Sequence, residues 1–263
     1  LSPVIHNAGF DHLNMNRVYL PFRVPKDHLN QFIDDAPVLG ISGLSVTIPH
    51  KQEVMASLTK IESGARKIGA VNTVIFDGDE IVGYNTDLYG AMVSLAEAAE
   101  ADPDEKWLRG KKVLLLGAGG VARAIGVGVK DRGAELFVTS RTYEKSVELA
   151  TKLEGEAILW EERHSANADV LVNCTPVGMH PNVNDTPFEE AGFTRDMIVF
   201  DTIYNPEQTL LIKQARNHEC RIVTGVEMFV RQAELQFKLF SGEEAPLDMM
   251  RETFRRTISS ANY

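Results

Sequence analysis

Short, continuous apolar runs alternate with segments of helical periodicity through the second half of the chain. The clearest run is 113–116, and further runs occupy 136–139, 157–159, 170–172, 198–201 and 222–223. Continuous apolar runs are typical of strands that are buried on both faces of a parallel sheet. Because helical segments connect these strands, the pattern predicts an open, doubly wound α/β sheet.

The first hundred residues contain a smaller set of predicted elements. Strands are predicted at 17–24, 44–48, 69–76 and 80–84. Between the first two strands, Leu29, Phe32 and Ile33 recur at helical spacing, which predicts a β-α-β unit. The dipeptide Asp77-Gly78 between the last two strands favours a hairpin turn. We therefore expect a smaller α/β domain ahead of the large sheet.

A glycine-rich turn directly follows the run 113–116. Gly117, Gly119 and Ala122 have the spacing G-x-G-x-x-A. In dinucleotide-binding folds the first glycine turns the chain, the second lets the backbone approach a pyrophosphate, and the small third residue lets the helix pack on the strand. The helix N-terminus then faces the phosphates. We interpret the motif as a dinucleotide site; the alternative is an ordinary tight strand-to-helix turn.

The residues after the run 136–139 indicate which dinucleotide binds. NAD-binding domains usually carry Asp or Glu at this point, where the carboxylate binds the ribose hydroxyls. This chain has Ser140-Arg141-Thr142 instead, and Lys145 follows one turn later. A guanidinium is a planar donor for a 2′-phosphate, so these residues favour NADP. The alternative is a set of basic residues at a surface turn.

Two predicted helix starts carry a lysine and an aspartate. Pro49 suits the first helical position, which places Lys51 in the first turn, where the helix dipole is unfavourable for a cation. Asp87 begins the helix that follows strand 80–84. If the two side chains meet, they can share a proton, which favours a chemical role. The alternatives are a solvated surface lysine and a carboxylate that only caps a helix.

Composition and charge exclude several kinds of partner. The chain has 263 residues, of which 44% are hydrophobic, and its formal net charge is −10. Long-range repulsion would oppose a nucleic acid or an anionic membrane surface, so we expect neither as a partner. Cys174 and Cys220 lie far apart, without His or Cys at ligand spacing. We therefore expect no disulfide framework, no metal site and a cytoplasmic location.

Longer motifs resemble the shikimate dehydrogenase family. The matching segments are SVTIPHK (45–51), GAVNT (69–73), GYNTD (83–87), LLGAGGVARA (115–124), NCTPVGM (173–179), YNP (204–206) and MFVRQA (228–233). The resemblance covers nearly the whole chain. It implies a two-domain fold, with a substrate-binding domain at 1–100 and a Rossmann-type NADP-binding domain at 101–225. The helical periodicity at 226–240 and 247–258 then belongs to C-terminal helices (226–263) that return to the first domain.

The resemblance also implies roles for individual residues. Lys51 and Asp87 would be the catalytic pair. The substrate would be bound by Ser2, Thr47, Asn72, Tyr204 and Gln232. The cofactor would be bound by Gly117, Ala118, Gly119, Gly120, Ser140, Arg141, Thr142, Lys145, Thr175, Met179, Gly225 and Met228.

The N-terminal motif departs from the family pattern. The family has two serines, separated by one residue, ahead of a proline, and only the second is present here, as Ser2 before Pro3. The resemblance places the first serine and a first strand upstream of Leu1. Because the chain begins with Leu1 rather than Met, we expect it to be processed or to be part of a longer protein. SVTIPHK is similar to the dehydrogenase half of bifunctional dehydroquinase–shikimate dehydrogenases.

Together these features predict NADPH-dependent, reversible reduction of 3-dehydroshikimate to shikimate, a step of chorismate and aromatic amino-acid biosynthesis. One alternative is a quinate/shikimate dehydrogenase that uses NAD, and another is a noncatalytic NADP-binding regulatory module. We expect a monomer or homodimer, and a 3-dehydroquinate dehydratase as a fused or associated partner.

Overall fold

The computed structural model describes residues 1–260, which fall into two compact units. Unit 1 combines Leu1–Tyr89 with the chain from Gln232 onward, and unit 2 is Gly90–Arg231. The two boundaries lie inside helices, Thr86–Ala99 and Gly225–Ser241. Residues 261–263, the last three of the predicted C-terminal helical segment, lie outside the described residues.

In chain order the α-helices are Ser2–His12 (α1), Leu29–Asp35 (α2), Ser63–Ile68 (α3), Thr86–Ala99 (α4), Gly120–Asp131 (α5), Tyr143–Lys152 (α6), Leu210–Asn217 (α7), Gly225–Ser241 (α8) and Leu247–Ser260 (α9). The strands are Gly43–Ser45 (β1), Lys60–Ile61 (β2), Thr73–Asp77 (β3), Glu80–Tyr84 (β4), Lys112–Leu116 (β5), Glu135–Thr139 (β6), Glu156–Ala157 (β7), Val170–Asn173 (β8), Ile198–Asp201 (β9) and Arg221–Val223 (β10). Short 3₁₀ helices occupy Lys26–His28, Glu53–Ser57, Trp160–Ser165 and Glu190–Gly192. Within residues 1–260, no helix combines the length and the apolar character needed to cross a membrane.

Unit 1 is built on a four-stranded sheet with the order β1-β3-β4-β2. β3 pairs antiparallel with β1 and with β4, whereas β2 pairs parallel with β4. Asp77 pairs with Glu80 across the hairpin turn that the sequence predicts. One face of the sheet packs on α2, where Val71 and Val74 are buried together with Ile33.

An aromatic cluster joins α1, the first helix of unit 1, to α8 in the C-terminal part of the chain. The ring of His6 stacks on Tyr19, with centroids 4.7 Å apart, and lies parallel to Phe237 of α8 at 6.3 Å. His6 is completely buried. Burial lowers the pKa of His6 to about 4, while the neighbouring Gln236 side chain acts in the opposite direction. The imidazole is therefore neutral at neutral pH and packs as part of the core.

Unit 2 contains a six-stranded parallel sheet with the order β10-β9-β8-β5-β6-β7. The predicted doubly wound sheet is confirmed. Within β5, Val113 to Leu116 are completely buried, as their continuous apolar run indicates. The chain proceeds from β5 to β6 on one side and later to β8 on the other. The strand order reverses between β5 and β8, and ligands of such sheets bind at the carboxyl ends of the strands at that point.

Two predicted elements of unit 1 are wrong. Residues 17–24 form no strand; instead, the Asn7 side chain accepts from the Tyr19 N–H at 2.7 Å and donates to the Tyr19 carbonyl at 2.9 Å. Pro49 does not begin a helix: it follows a cis peptide bond, and residues 49–52 form turns before the 3₁₀ helix at Glu53–Ser57. Backbone groups that bind side chains or form turns are not available for a sheet or a helix.

Candidate active site

A lysine and an aspartate of unit 1 form a direct ion pair. Lys51 Nζ donates to Asp87 Oδ2 at 2.6 Å. The two side chains are 28% and 18% exposed, so the pair is partly shielded from water and still accessible to a ligand. The sequence alone does not show that these residues meet, and the structure brings them together. An ammonium held by a carboxylate can donate a proton to a neighbouring oxygen.

Backbone interactions determine where this pair lies. The N–H of Val71 donates to the Lys51 carbonyl at 2.7 Å, which ties the 49–52 turn to the segment before β3. Asp87 lies in the first turn of α4, directly after β4. A helix N-terminus stabilises a carboxylate. Lys51 and Asp87 are thus positioned by two different parts of unit 1.

A buried hydrogen-bond network connects Asn72 and Gln232, two of the expected substrate-binding residues. Asn72 Oδ1 accepts from the Thr86 N–H at 2.8 Å, and Asn72 Nδ2 donates to Thr86 Oγ1 at 3.0 Å. Thr86 Oγ1 donates to Gln232 Oε1 at 3.3 Å. Asn72 and Gln232 are 3% and 8% exposed. Thr86, which is not among the residues expected from the sequence, links them; its place directly before Asp87 in GYNTD is the signal that points to it.

Gln236 extends the same network. Its Nε2 donates to Thr73 Oγ1 at 2.8 Å, and Thr73 Oγ1 donates to Asn72 Oδ1 at 2.9 Å. Gln232 and Gln236 are four residues apart on α8, so their side chains lie on one face of the helix. The spacing is visible in the sequence, but the burial of both amides is not.

Thr47 and Ser2 occupy other positions in unit 1. Thr47 is exposed, and its carbonyl accepts from the His50 N–H at 2.9 Å. Ser2 is half-buried at the start of α1. Burial raises the pKa of Tyr19, and the neighbouring Ser45 and Ser2 side chains act in the opposite direction. The Ser2 hydroxyl therefore lies beside the Tyr19 phenol.

The glycine turn of unit 2 has the shape that a pyrophosphate needs. Gly117 has a positive φ of 108°, and a Cβ there would lie 3.0 Å from the Cys174 carbonyl oxygen. A Cβ at Gly119 or Gly120 would have no nearby atom within 4 Å among residues 1–260 apart from its own chain neighbours. Gly119 is the N-cap of α5, and its first turn carries no acidic residue. Ala118 lies within this turn, and the Gly117 N–H donates to the Thr139 carbonyl at 2.7 Å, which ties the turn to the end of β6. The open space at Gly119 and Gly120, at a helix N-terminus, fits a phosphate group.

The loop after β6 has the predicted character of a phosphate-binding loop. Arg141, Thr142 and Lys145 are exposed. Ser140 Oγ donates to the Thr142 carbonyl at 2.8 Å and also lies 2.8 Å from Ser146 Oγ. These contacts fix the start of α6. The guanidinium of Arg141 has no hydrogen-bond acceptor among residues 1–260 and is available to a ligand. The donor set fits a 2′-phosphate.

Thr175 and Met179, two further expected cofactor residues, lie on the loop at the carboxyl end of β8. The Thr175 N–H donates to Asn173 Oδ1 at 2.9 Å, directly after β8. Met179, at the end of the same loop, is exposed. The loop lies beside the glycine turn, because Cys174 is the residue that closely approaches Gly117.

Gly225, Met228 and Tyr204 also lie in unit 2. Gly225 begins α8, and a Cβ there would clash with the Ile203 carbonyl oxygen, so no side chain fits. Met228 is buried, whereas Tyr204 is exposed with its ring centroid 5.5 Å from that of Phe229. Tyr204 and Gly225 are therefore adjacent through the segment that follows β9.

The sequence reasoning missed a buried carboxylate, Asp201, at the end of β9. Asp201 is completely buried, and burial raises its pKa to about 6 despite hydrogen bonds from Thr209, the Ile203 N–H and Asn173. An acidic residue that ends a buried apolar run is the sequence signal for it, because a buried charge needs partners.

The chain matches three family models. The shikimate dehydrogenase substrate binding domain matches residues 1–74, shikimate / quinate 5-dehydrogenase matches 98–215, and the shikimate 5′-dehydrogenase C-terminal domain matches 225–253. A relative from Methanopyrus kandleri, named shikimate dehydrogenase (NADP(+)), is 42% identical over 96% of this chain and 89% of its own length.

Solved structures are similar over the same extent. A shikimate dehydrogenase crystallised in complex with NADP⁺ has a TM-score of 0.89 and 33% identity, over 98% of this chain and 91% of that chain. A shikimate 5-dehydrogenase from Thermus thermophilus, in complex with NADP(H) and shikimate, has a TM-score of 0.85 and 28% identity, over 97% and 94% of the two chains. The similarity thus spans both units.

Proposed function

This chain belongs to the shikimate dehydrogenase family, and we propose that it catalyses the NADPH-dependent, reversible reduction of 3-dehydroshikimate to shikimate. The observation that carries the proposal is the direct Lys51–Asp87 pair at 2.6 Å. It supplies a proton donor of the kind that reduction of a ketone requires.

Lys51 acts on the substrate oxygen. As the carbonyl is reduced, negative charge develops on its oxygen, and an ammonium next to that oxygen stabilises the charge and donates a proton. Asp87 accepts from the same ammonium, which fixes the direction of the Lys51 side chain. In the reverse reaction the neutral lysine takes the proton from the shikimate hydroxyl.

Unit 2 supplies the residues that would hold the cofactor. The turn Gly117, Ala118, Gly119 and Gly120 would hold the pyrophosphate, with backbone N–H groups at the start of α5 as donors. The Gly117 N–H donates instead to the Thr139 carbonyl at 2.7 Å, so Gly117 would shape the turn. Arg141 and Lys145, with Ser140 and Thr142, would bind the 2′-phosphate. Thr175, Met179, Gly225 and Met228 would border the nicotinamide. NADPH, when bound, supplies the hydride for the reduction.

We assign the remaining polar residues to the substrate. Thr47, Asn72 and Gln232 would bind the ring hydroxyls, and Ser2 and Tyr204 would bind the carboxylate. The buried network through Thr86 supports the assignment of Asn72 and Gln232, because it fixes both amides. For the domain organisation we propose what the resemblance implies: a substrate-binding region at 1–100, an NADP-binding region at 101–225 and a C-terminal region at 226–263.

Cofactor choice tests the proposal against its nearest rival. We expect wild type to prefer NADPH over NADH with 3-dehydroshikimate, and Arg141→Ala to lower kcat/KM for NADPH by roughly tenfold to hundredfold, because a charged hydrogen bond to the phosphate is lost. Values for NADH should change little. Lys152→Ala is the matched control, since Lys152 lies on α6 and pairs with Glu148.

The other outcomes separate the alternatives. A wild-type preference for NADH, with quinate accepted as well as shikimate, would favour a quinate/shikimate dehydrogenase. Binding of NADP without turnover would favour a noncatalytic module. We propose further that the protein acts in the cytoplasm as a monomer or homodimer, together with a 3-dehydroquinate dehydratase. Size measurements and copurification test this part.

A further inference from the structure

The carboxylate of Asp201 joins three separate segments of unit 2. Oδ1 accepts from Asn173 Nδ2 at 3.1 Å and from the Ile203 N–H at 3.1 Å, and Oδ2 accepts from Thr209 Oγ1 at 2.7 Å. Thr209 is the N-cap of α7, where its Oγ1 accepts from the Ile212 N–H at 3.3 Å. One buried side chain therefore connects the end of β8, the segment after β9 and the start of α7.

Asn173 transmits this connection into the loop that follows β8. Its Oδ1 accepts from the Thr175 N–H at 2.9 Å and from Thr175 Oγ1 at 2.7 Å. Thr175 Oγ1 in turn accepts from the Val177 N–H at 3.2 Å, and the Asn173 carbonyl accepts from Thr202 Oγ1 at 2.8 Å. The conformation of residues 174–177 thus depends on the amide of Asn173, whose orientation depends on Asp201.

The loop in question lies at the ligand end of the sheet. β8 pairs with β5 at the point where the strand order reverses, with Leu116 opposite Asn173. The carbonyl of Cys174 lies where a Cβ at Gly117 would contact it, so loop and glycine turn are in direct contact. The loop after β6, which carries Arg141, lies on the other side of β5. The Asp201 connection therefore reaches the 174–177 loop on the β8 side of the cofactor site, whereas the loop that carries Arg141 lies on the β6 side.

We propose that Asp201 is a positioning residue: through Asn173 and the Ile203 N–H it holds the 174–179 loop and the segment that carries Tyr204 in the arrangement that receives the nicotinamide end of NADP. This inference rests on the proposed function. No acidic or basic side chain other than Asp201 takes part in the described network, and the thiol of Cys174, whose pKa is raised by burial and by Asp201, is neutral. Near neutral pH the Asp201 carboxylate is mainly ionised and can accept all three hydrogen bonds.

The test compares two ligands that differ only in the nicotinamide half. NADP⁺ carries the nicotinamide riboside. 2′-Phospho-ADP-ribose lacks the nicotinamide ring but keeps the pyrophosphate and the 2′-phosphate. Asp201→Ala should weaken NADP⁺ binding by roughly tenfold to hundredfold, because Asn173, Ile203 and Thr209 each lose a buried acceptor. Binding of 2′-phospho-ADP-ribose should change by less than about twofold. Calorimetry measures both affinities without turnover.

Two further variants make the comparison specific. Asp201→Asn keeps an acceptor for Asn173 and Ile203 and offers an N–H to Thr209 Oγ1, so it should restore NADP⁺ binding to within about threefold of wild type. Asp169→Ala is the matched control, since Asp169 accepts from the Lys112 N–H at 2.8 Å at the opposite end of the same sheet. We expect Asp169→Ala to lower the stability of the protein without changing the ratio of the two ligand affinities.

The outcomes are distinct. Equal loss of both ligands in Asp201→Ala would show general damage to unit 2 and overturn the inference, as would unchanged binding of NADP⁺. If wild type binds NADP⁺ but does not reduce 3-dehydroshikimate, the proposed function fails, whereas the comparison of affinities still decides the role of Asp201.

Discussion

At the scale of single residues, the proposed chemistry rests on Lys51 and Asp87, whose side chains meet at 2.6 Å. Their identities can be read from the sequence, and so can the start of the helix that carries Asp87. The contact cannot, because Lys51 lies in a turn whose position is set by the hydrogen bond from Val71. A tertiary contact of this kind depends on how separate segments pack.

Replacing the lysine tests its role directly. Lys51→Met keeps the length of the side chain and removes the ammonium, so kcat should fall by roughly 10²–10⁴-fold, the usual scale for a positioned acid or base. KM for 3-dehydroshikimate should change much less, because the substrate hydroxyls have other partners. Steady-state kinetics with NADPH measures both values.

The matched control is Lys60→Met, since Lys60 is an exposed lysine of the same unit, 3.7 Å from Glu80. We expect it to retain the wild-type kcat. Near-normal kcat in Lys51→Met would remove this residue from the mechanism, and an equal loss in both variants would point to a general effect of removing a lysine.

At the scale of elements, the sequence predicts best those strands whose own residues form continuous apolar runs. The runs in β5, β8 and β9 are apolar because both faces are covered, and these strands are found where they are predicted. Residues 17–24 have a strand-like composition but bind Asn7 instead of a neighbouring strand. Strand formation requires a partner, and partners are a property of the fold rather than of the segment.

The residues of the proposed substrate and cofactor sites also divide into those that sequence motifs predict and those that they do not. The motifs predict the glycine turn and the basic loop after β6, because each function needs particular residue types at fixed local spacing. They do not predict Thr86 or Asp201, whose roles arise from hydrogen bonds to Asn72 and Asn173 across strands.

The glycine turn carries a prediction of its own. Gly119→Ala places a methyl group in the open space in front of α5, so it should lower the affinity for NADP⁺ by about tenfold or more while the stability of the ligand-free chain stays the same. Gly117→Ala should also lower the free energy of unfolding by about 1–3 kcal/mol, because φ is positive and Cβ approaches the Cys174 carbonyl oxygen.

Binding titrations and thermal unfolding of the ligand-free variants distinguish the two effects. If Gly119→Ala bound NADP⁺ as tightly as wild type, the turn would not hold the pyrophosphate. Wild-type stability in Gly117→Ala would show that the backbone adapts to the added methyl group.

At the scale of the whole molecule, an acidic chain binds ligands that are themselves anionic. The formal net charge is −10, so long-range attraction cannot draw in a carboxylate or a phosphate. Local donors must do this, and those that we propose lie at the start of α5, in the loop after β6 and in the Asn72–Thr86–Gln232 network. Helical periodicity predicts α8 and α9 as helices but does not place Gln232 within unit 1. That placement depends on the packing of Phe237, on α8, against the ring of His6 in α1.

The most direct test of the central claim follows a deuterium label from NADPH into the product. The full chain is incubated with 3-dehydroshikimate and NADPH that carries deuterium at both C4 positions of the nicotinamide, and the product is identified by chromatography and mass spectrometry. The account predicts shikimate that is one mass unit heavier than the product formed with ordinary NADPH, because the reduced carbon receives one hydride from the cofactor. Absence of shikimate, or shikimate without the label, would contradict it.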